Sequence, residues 1–228
     1  MNKELIYKIA RLIPKPIRKL GKLFYNPIIP ETLKIDYGEI LMPKENLDFM
    51  LSKLKEILNQ SIEGNLIEFG VYKGGSLMQF AKILKEYDNF KVIFGLDTFE
   101  GLPQESNQDK IPEYYKGAMS KNDIWELKKV IIKEDLDSKI YLVKGLFKDR
   151  IPNLPQDLKF CFAYVDCDLY EGTKEALEYL IPRMNKGGII FIDDYTSKNW
   201  IGVKKAVLEI LPEKEIKEYK GQAYWIKK

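Results

Sequence analysis

A glycine-rich stretch of nine residues, 68–76, places the strongest constraint on how this chain can fold. It follows the apolar pair Leu66 and Ile67, and it leads into residues 77–84, whose apolar positions have helical spacing. This pattern predicts a strand, a tight turn and a helix. Glycines let the backbone approach a ligand closely, and a helix amino terminus offers unpaired N–H groups. The turn is therefore either a ligand-binding turn at the crevice of an open α/β sheet or only a tight connection.

Strand-like and helical segments alternate along the rest of the chain. The predicted strands are residues 91–97, 139–144, 160–166 and 189–192, and the predicted helices are 45–59, 122–134, 175–181 and 203–211. Residues 215–219 and 223–227 flank Gly221 and predict an antiparallel hairpin. Alternation of this kind predicts an α/β fold with a mainly parallel sheet covered by helices.

The composition excludes several kinds of chemistry. The chain contains no histidine, so acid–base catalysis must use carboxylate, lysine, tyrosine or cysteine side chains, and a metal site must be rich in oxygen ligands. The two cysteines, Cys161 and Cys167, are separated by six residues of predicted extended chain, roughly 20 Å, and cannot bridge one another while that segment stays extended. A formal net charge of +3 gives no reason to expect nucleic-acid binding.

Positive charge is concentrated at the amino terminus. Residues 1–25 contain seven basic residues and one acidic residue, and their apolar residues recur at helical spacing. We expect residues 1–45 to form a basic amphipathic segment and lid, and residues 46–228 to form the main domain. The apolar stripe could pack on the core or on a second subunit, which predicts a homo-oligomer, or it could lie on an anionic membrane surface. With no long apolar run, the predicted location is cytoplasmic, possibly peripheral at the inner face of the membrane.

Acidic residues end three of the predicted strands. Asp97 follows the second strand, where a carboxylate can hold a ribose diol or cap the polar loop that continues to about residue 120. Asp166, with Asp168 nearby, and the pair Asp193 and Asp194 end two later strands. These acids are either ordinary caps or, if they converge, ligands for a hard cation such as Mg²⁺ or Mn²⁺.

Four sequence blocks together resemble one family of enzymes. The spacing E-x-G-x-x-x-G-x-S is similar to the first motif of class I S-adenosylmethionine (SAM) methyltransferases. Residues 68–76, 97–103, 164–173 and 187–195, in this order, resemble the macrocin O-methyltransferase family. The resemblance implies a Rossmann-like, seven-stranded sheet and SAM- and metal-dependent methylation of a sugar hydroxyl. The acceptor would be a nucleotide-linked sugar, a surface glycan or a glycosylated metabolite.

The resemblance also implies roles for individual residues. Asp166, Asp193 and Asp194 would hold Mg²⁺ or Mn²⁺. Catechol O-methyltransferases place a lysine base where this chain has Leu169. The resemblance to the macrocin-type enzymes implies that Asp166 itself is the base. The residues expected to bind SAM are Glu68, Gly70, Tyr72, Gly74, Ser76, Asp97, Thr98 and Phe147. The alternatives are a nicotinamide-dependent oxidoreductase, disfavoured by the missing G-x-G-x-x-G motif, and a non-catalytic scaffold of the same fold that docks on membranes.

Overall fold

One mixed sheet of seven strands runs through the part of the chain that the structure, a computed structural model, describes: residues 37–87, 90–111, 113–115, 118–120 and 122–228. The strands are β1 (Asn65–Phe69), β2 (Ile93–Asp97), β3 (Ile140–Lys144), β4 (Phe160–Val165), β5 (Met184–Ile192), β6 (Lys217–Tyr219) and β7 (Gln222–Ile226). Their order is β3-β2-β1-β4-β5-β7-β6. The first five pair in parallel, whereas β7 is antiparallel to both β5 and β6. The predicted parallel sheet and terminal hairpin are confirmed.

Helices cover both faces of this sheet. They are α1 (Lys44–Asn59), α2 (Gly75–Glu86), α3 (Ile124–Lys133), α4 (Phe147–Arg150), α5 (Tyr170–Leu180) and α6 (Ile201–Ile210). Short 3₁₀ turns occupy Glu113–Tyr115, Ile151–Asn153, Ile181–Arg183 and Glu213–Glu215. One buried apolar cluster joins α1, α2 and α3 to one face, and a second joins α5 and α6 to the other. Apolar side chains buried on both faces explain why the parallel strands read as continuous hydrophobic runs.

Two elements begin five residues earlier than the sequence pattern predicts. Helix α5 begins at Tyr170 rather than at residue 175. Strand β5 begins at Met184 rather than at residue 189, although it contains Gly187 and Gly188, which are typical of turns. The extra part of β5 is fixed by neighbours distant in sequence, because Met184 pairs with Phe160 and Gly187 donates to the carbonyl of Lys227 at 2.8 Å. Tertiary pairing here overrides the local preference for a turn.

The register of the parallel strands brings their carboxyl ends together. Phe69 pairs with Val165, and Val165 pairs with Ile192. The residues that follow these three, Gly70, Asp166 and Asp193, therefore lie side by side at one edge of the sheet.

The predictions for residues 1–25 lie outside the described residues. Within the described part, no helix is long and apolar enough to cross a membrane.

Candidate functional site

A cavity of about 970 Å³ opens at the carboxyl ends of the parallel strands. This volume is in the range of small-molecule binding sites, and the position is where open α/β sheets bind ligands. Six of the residues expected to bind SAM line it: Gly70, Tyr72, Ser76, Asp97, Thr98 and Phe147. The acids from the ends of β4 and β5 line the same cavity. Glu68 and Gly74 are not part of its wall.

The glycine-rich turn is held against the end of β4. Gly70 has a φ of +86°, and a β-carbon at this position would lie 1.7 Å from the carbonyl oxygen of Asp166. Only glycine fits such a conformation at such a separation. The absence of a side chain at position 70 therefore lets the turn lie directly beside Asp166.

Asp97 ties the same turn to β2. One of its carboxylate oxygens accepts hydrogen bonds from the backbone N–H groups of Val71 (2.7 Å) and Tyr72 (2.9 Å). The other accepts from the N–H of Phe99 at 2.6 Å. A carboxylate has about four lone-pair sites, so Asp97 shapes the turn and retains limited capacity for a ribose hydroxyl.

Glu68 lies beneath the cavity and not in its wall. It is 1 % exposed, and its Oε1 accepts a hydrogen bond of 2.6 Å from the Ser76 hydroxyl. Its Oε2 has no hydrogen-bond partner among the described residues. Burial raises the pKa of Glu68 from 4.5 to about 8, and the nearby Asp97 carboxylate adds to this rise. Glu68 is therefore mainly protonated at neutral pH, and through Ser76 it supports the first turn of α2.

Three half-buried carboxyl groups come close enough together to hold one cation. Asp166, Asp168 and Asp194 each offer an oxygen, and these oxygens lie within 4.8 Å of one another. The sequence-based set shares Asp166 and Asp194 with this group and has Asp193 in place of Asp168. Asp193 lies nearby, since its carboxylate contacts the hydroxyl of Tyr164, which also contacts Asp166.

The electrostatics of this cluster favour added positive charge. Burial raises the pKa of both Asp166 and Asp168 well above the ordinary value, and the neighbouring carboxylates raise it further. The carboxyl groups of Asp168 and Asp194 lie close together, and burial also raises the pKa of Asp194 to about 6. A divalent cation would offset the repulsion between these carboxylates.

Two contributions to the site come from residues to which the sequence assigned no individual role, although residues 39–43 fall in the segment 1–45 that is predicted to include a lid. Tyr164 contacts two of the acids; its position two residues before Asp166, on the same face of a strand, was the available signal. Residues 39–43 and Asn46 form one wall of the cavity, with Lys220 and Gly221 beside them. No sequence pattern links that segment with the turn between β6 and β7, because the tertiary structure alone brings them together.

Known proteins share this fold. The "O-methyltransferase NovP" superposes with a TM-score of 0.75 at 22% identity over 99% of both chains. The structure of "CalS11, Calicheamicin Methyltransferase" gives a TM-score of 0.70 at 27% identity, with 92% of this chain and 90% of that chain covered. A Streptomyces olivaceus protein, 8-demethyl-8-(2,3-dimethoxy-alpha-L-rhamnosyl)-tetracenomycin-C 4'-O-methyltransferase, is 28% identical over 158 residues, 66% of this chain.

The aligned part spans about 60% of the length of that Streptomyces relative. The model of the macrocin O-methyltransferase (TylF) family matches residues 36–222. This range includes all the described strands and helices except β7, of which it includes only Gln222. This match covers most of the chain, and the chain therefore belongs to the macrocin O-methyltransferase family.

Proposed function

We propose that this protein is a SAM- and metal-dependent O-methyltransferase that methylates a hydroxyl group of a sugar. The observation that carries the proposal is that the glycine-rich turn and the carboxylate cluster open on one cavity. A methyl donor and a metal-bound hydroxyl could meet there. The names of the relatives support a sugar acceptor, since one refers to a rhamnosyl group and its 4'-oxygen.

The turn has the features that SAM requires. Helix α2 begins at Gly75 and has no side-chain cap, so its first N–H groups and its positive end can receive the carboxylate of the methionine part. Asp97 and Thr98, which line the cavity, would hold the ribose, and Phe147 in the same lining would contact the adenosyl part. The cavity is large enough for SAM together with part of an acceptor.

The donor set suits a hard divalent cation. Carboxylate oxygens are the ligands that Mg²⁺ and Mn²⁺ prefer, and the cluster contains acids that repel one another. Asp166 and Asp194 would hold the cation, with Asp193, as the sequence predicts, or Asp168, as the spacing of the oxygens favours, as third ligand. A bound cation would lower the pKa of the acceptor hydroxyl and orient it.

The residues of this chain would then prepare the transfer. Asp166 is our proposed base: the carboxylate that helps to hold the cation would also take the proton from the attacking oxygen. The new O–CH₃ bond forms as the bond from carbon to the sulfonium sulfur breaks, and S-adenosylhomocysteine (SAH) is released. The turn and the cavity walls contribute by fixing the donor and the acceptor in line and by limiting access of water.

The direct test is calorimetric titration of chelator-stripped protein with SAH, with and without Mg²⁺. We expect binding in the micromolar range, followed by a mass increase of one methyl group on a sugar acceptor when SAM and Mg²⁺ are supplied. A flat trace from folded protein would contradict the methyltransferase proposal. Titration with NAD and binding to anionic vesicles would then test the oxidoreductase and the membrane-docking scaffold.

A further inference from the structure

One buried hydroxyl group lies between two of the acids. The Tyr164 hydroxyl is 3.1 Å from Oδ2 of Asp166 and 2.9 Å from Oδ2 of Asp193. The Tyr164 side chain is 0 % exposed, so its hydroxyl is shielded from solvent. It is the group that joins the acid after β4 to the acid after β5.

The position of the Tyr164 ring follows from the sheet. Tyr164 pairs with Phe191 on β5, and Asp166 and Asp193 each lie two residues further along their strands, on the same face. The ring packs edge-on against Phe80 of α2, with 6.2 Å between centroids. A ring fixed by a strand and a helix holds its hydroxyl in one place.

The hydrogen-bonding capacity of a phenol defines what it can do there. Its oxygen carries one hydrogen, so it can donate to one acid at a time, and it can accept from the other acid only while that acid is protonated. Both contacts are to the Oδ2 atoms. Oδ1 of Asp166 and Oδ1 of Asp193 remain for other partners. Hydrogen bonds that orient ligating carboxylates contribute to metal affinity, and removing one typically weakens metal binding by roughly 10- to 100-fold.

We propose that Tyr164 is a positioning residue for the cation site: its hydroxyl donates to Asp166 or to Asp193 and holds that carboxylate so that its other oxygen faces the cation. The inference rests on the proposed metal-dependent function. It assigns to Tyr164 an effect on cation affinity without contact with the cation, SAM or the acceptor.

The test is Tyr164→Phe, with Tyr179→Phe as the matched control. Phenylalanine keeps the ring and removes only the hydroxyl. Tyr179 is also buried, at 5 % exposure, but packs in the apolar cluster on the other face, and its hydroxyl has no hydrogen-bond partner among the described residues. Binding of Mn²⁺ to each SAH-saturated protein is measured by electron paramagnetic resonance, and SAH affinity is measured without metal.

We expect Tyr164→Phe to weaken Mn²⁺ binding by about 10- to 100-fold, the usual range for loss of such support. Tyr179→Phe should bind Mn²⁺ within about twofold of wild type, and both variants should keep wild-type SAH affinity. Weaker Mn²⁺ binding together with unchanged SAH affinity distinguishes a positioning role from a general loss of structure. Wild-type Mn²⁺ affinity in folded Tyr164→Phe would overturn the inference and leave the proposed function intact.

A second measurement needs no variant at position 164. With tyrosine labelled at the ring carbon that carries the hydroxyl, Mg²⁺ should shift the nuclear magnetic resonance signal of one buried tyrosine in SAH-bound wild type. No shift of any buried tyrosine at saturating Mg²⁺ would contradict the inference. Wild type that binds SAH but no divalent cation would overturn both the inference and the metal part of the proposed function, while methyl transfer would remain open to test with acceptors.

Discussion

Glu68 shows how one buried carboxyl group can make the protein sensitive to pH. Its Oε1 accepts from Ser76, and its Oε2 is buried without a partner among the described residues. The folded protein therefore holds a proton on Glu68 up to a pKa of about 8, whereas the unfolded chain releases it near 4.5. Because the folded state binds more protons in this window, the free energy of unfolding falls as pH rises from about 4.5 to about 8.

We predict that Glu68→Gln removes the pH dependence of stability that Glu68 causes. In wild type, loss of the proton from Glu68 lowers the free energy of unfolding by up to roughly 1.4 kcal/mol per pH unit between pH 5 and 8. The variant should have a flatter profile in urea unfolding measured across that range. Glu86→Gln, at an exposed position, is the control and should follow wild type. Equal slopes for wild type and Glu68→Gln would show that Glu68 is ionised in the folded protein.

Asp194 is the acid shared by the sequence-based and the structure-based cation sites. We predict that Asp194→Asn weakens Mn²⁺ binding at least about tenfold, because a neutral amide replaces an anionic ligand. Glu175→Gln, another acid in the cavity wall, should leave the affinity within about twofold. Mn²⁺ titration of Asp168→Asn and of Asp193→Asn then identifies the third ligand, because the variant that lacks it should lose more Mn²⁺ affinity. Unchanged affinity in Asp194→Asn would place the cation elsewhere.

At the scale of elements, α5 begins with a cap supplied from far away in the sequence. Leu169 precedes the helix and provides no side-chain cap, but Asp109 of the polar loop accepts a hydrogen bond of 2.9 Å from the N–H of Tyr170. The other oxygen of Asp109 accepts from the N–H and the hydroxyl of Ser106. The loop and the helix that follows Asp168 therefore stabilise each other.

Asp109→Ala should lower the free energy of unfolding by about 1 kcal/mol, the typical effect of losing a helix cap. It should also reduce the hydrogen-exchange protection of the Tyr170 amide. Asp48→Ala, which removes an exposed acid of α1, serves as the control for urea unfolding and exchange. Unchanged protection at Tyr170 would mean that the loop does not cap the helix in solution.

At the scale of the whole molecule, the segment before α1 is part of the cavity wall. Gly38 donates to the carbonyl of Lys73 at 3.0 Å, and Lys73 forms an ion pair with Glu39. A β-carbon on Gly75 would lie 2.2 Å from the carbonyl oxygen of Glu39, so the segment lies directly on the start of α2. The division into residues 1–45 and 46–228 stays a prediction, and it assigns this segment to the predicted lid.

We predict that a chain beginning at residue 37 keeps SAH affinity, whereas one beginning at residue 46 loses about tenfold, corresponding to roughly 1.4 kcal/mol. The reason is that the shorter chain lacks the bonds to Lys73 and one cavity wall. Calorimetry with SAH provides the measurement, and circular dichroism checks that both chains are folded. Equal affinities would show that residues 37–45 are not needed for cofactor binding.

The sequence alone determined the order of strands and helices, the parallel sheet and the edge at which Asp97, Asp166, Asp193 and Asp194 end their strands. These features depend on local periodicity and on the fact that parallel strands end at one edge. Six of the eight residues expected at the cofactor site line the cavity for the same reason.

Only the tertiary structure decided which atoms meet. It placed Asp168 beside Asp194 and the Tyr164 hydroxyl between Asp166 and Asp193, and it buried Glu68 outside the cavity wall. It also let Asp109 cap a helix 61 residues away. Such contacts depend on strand register and side-chain packing between distant segments, and one-dimensional spacing does not encode the direction in which a side chain points.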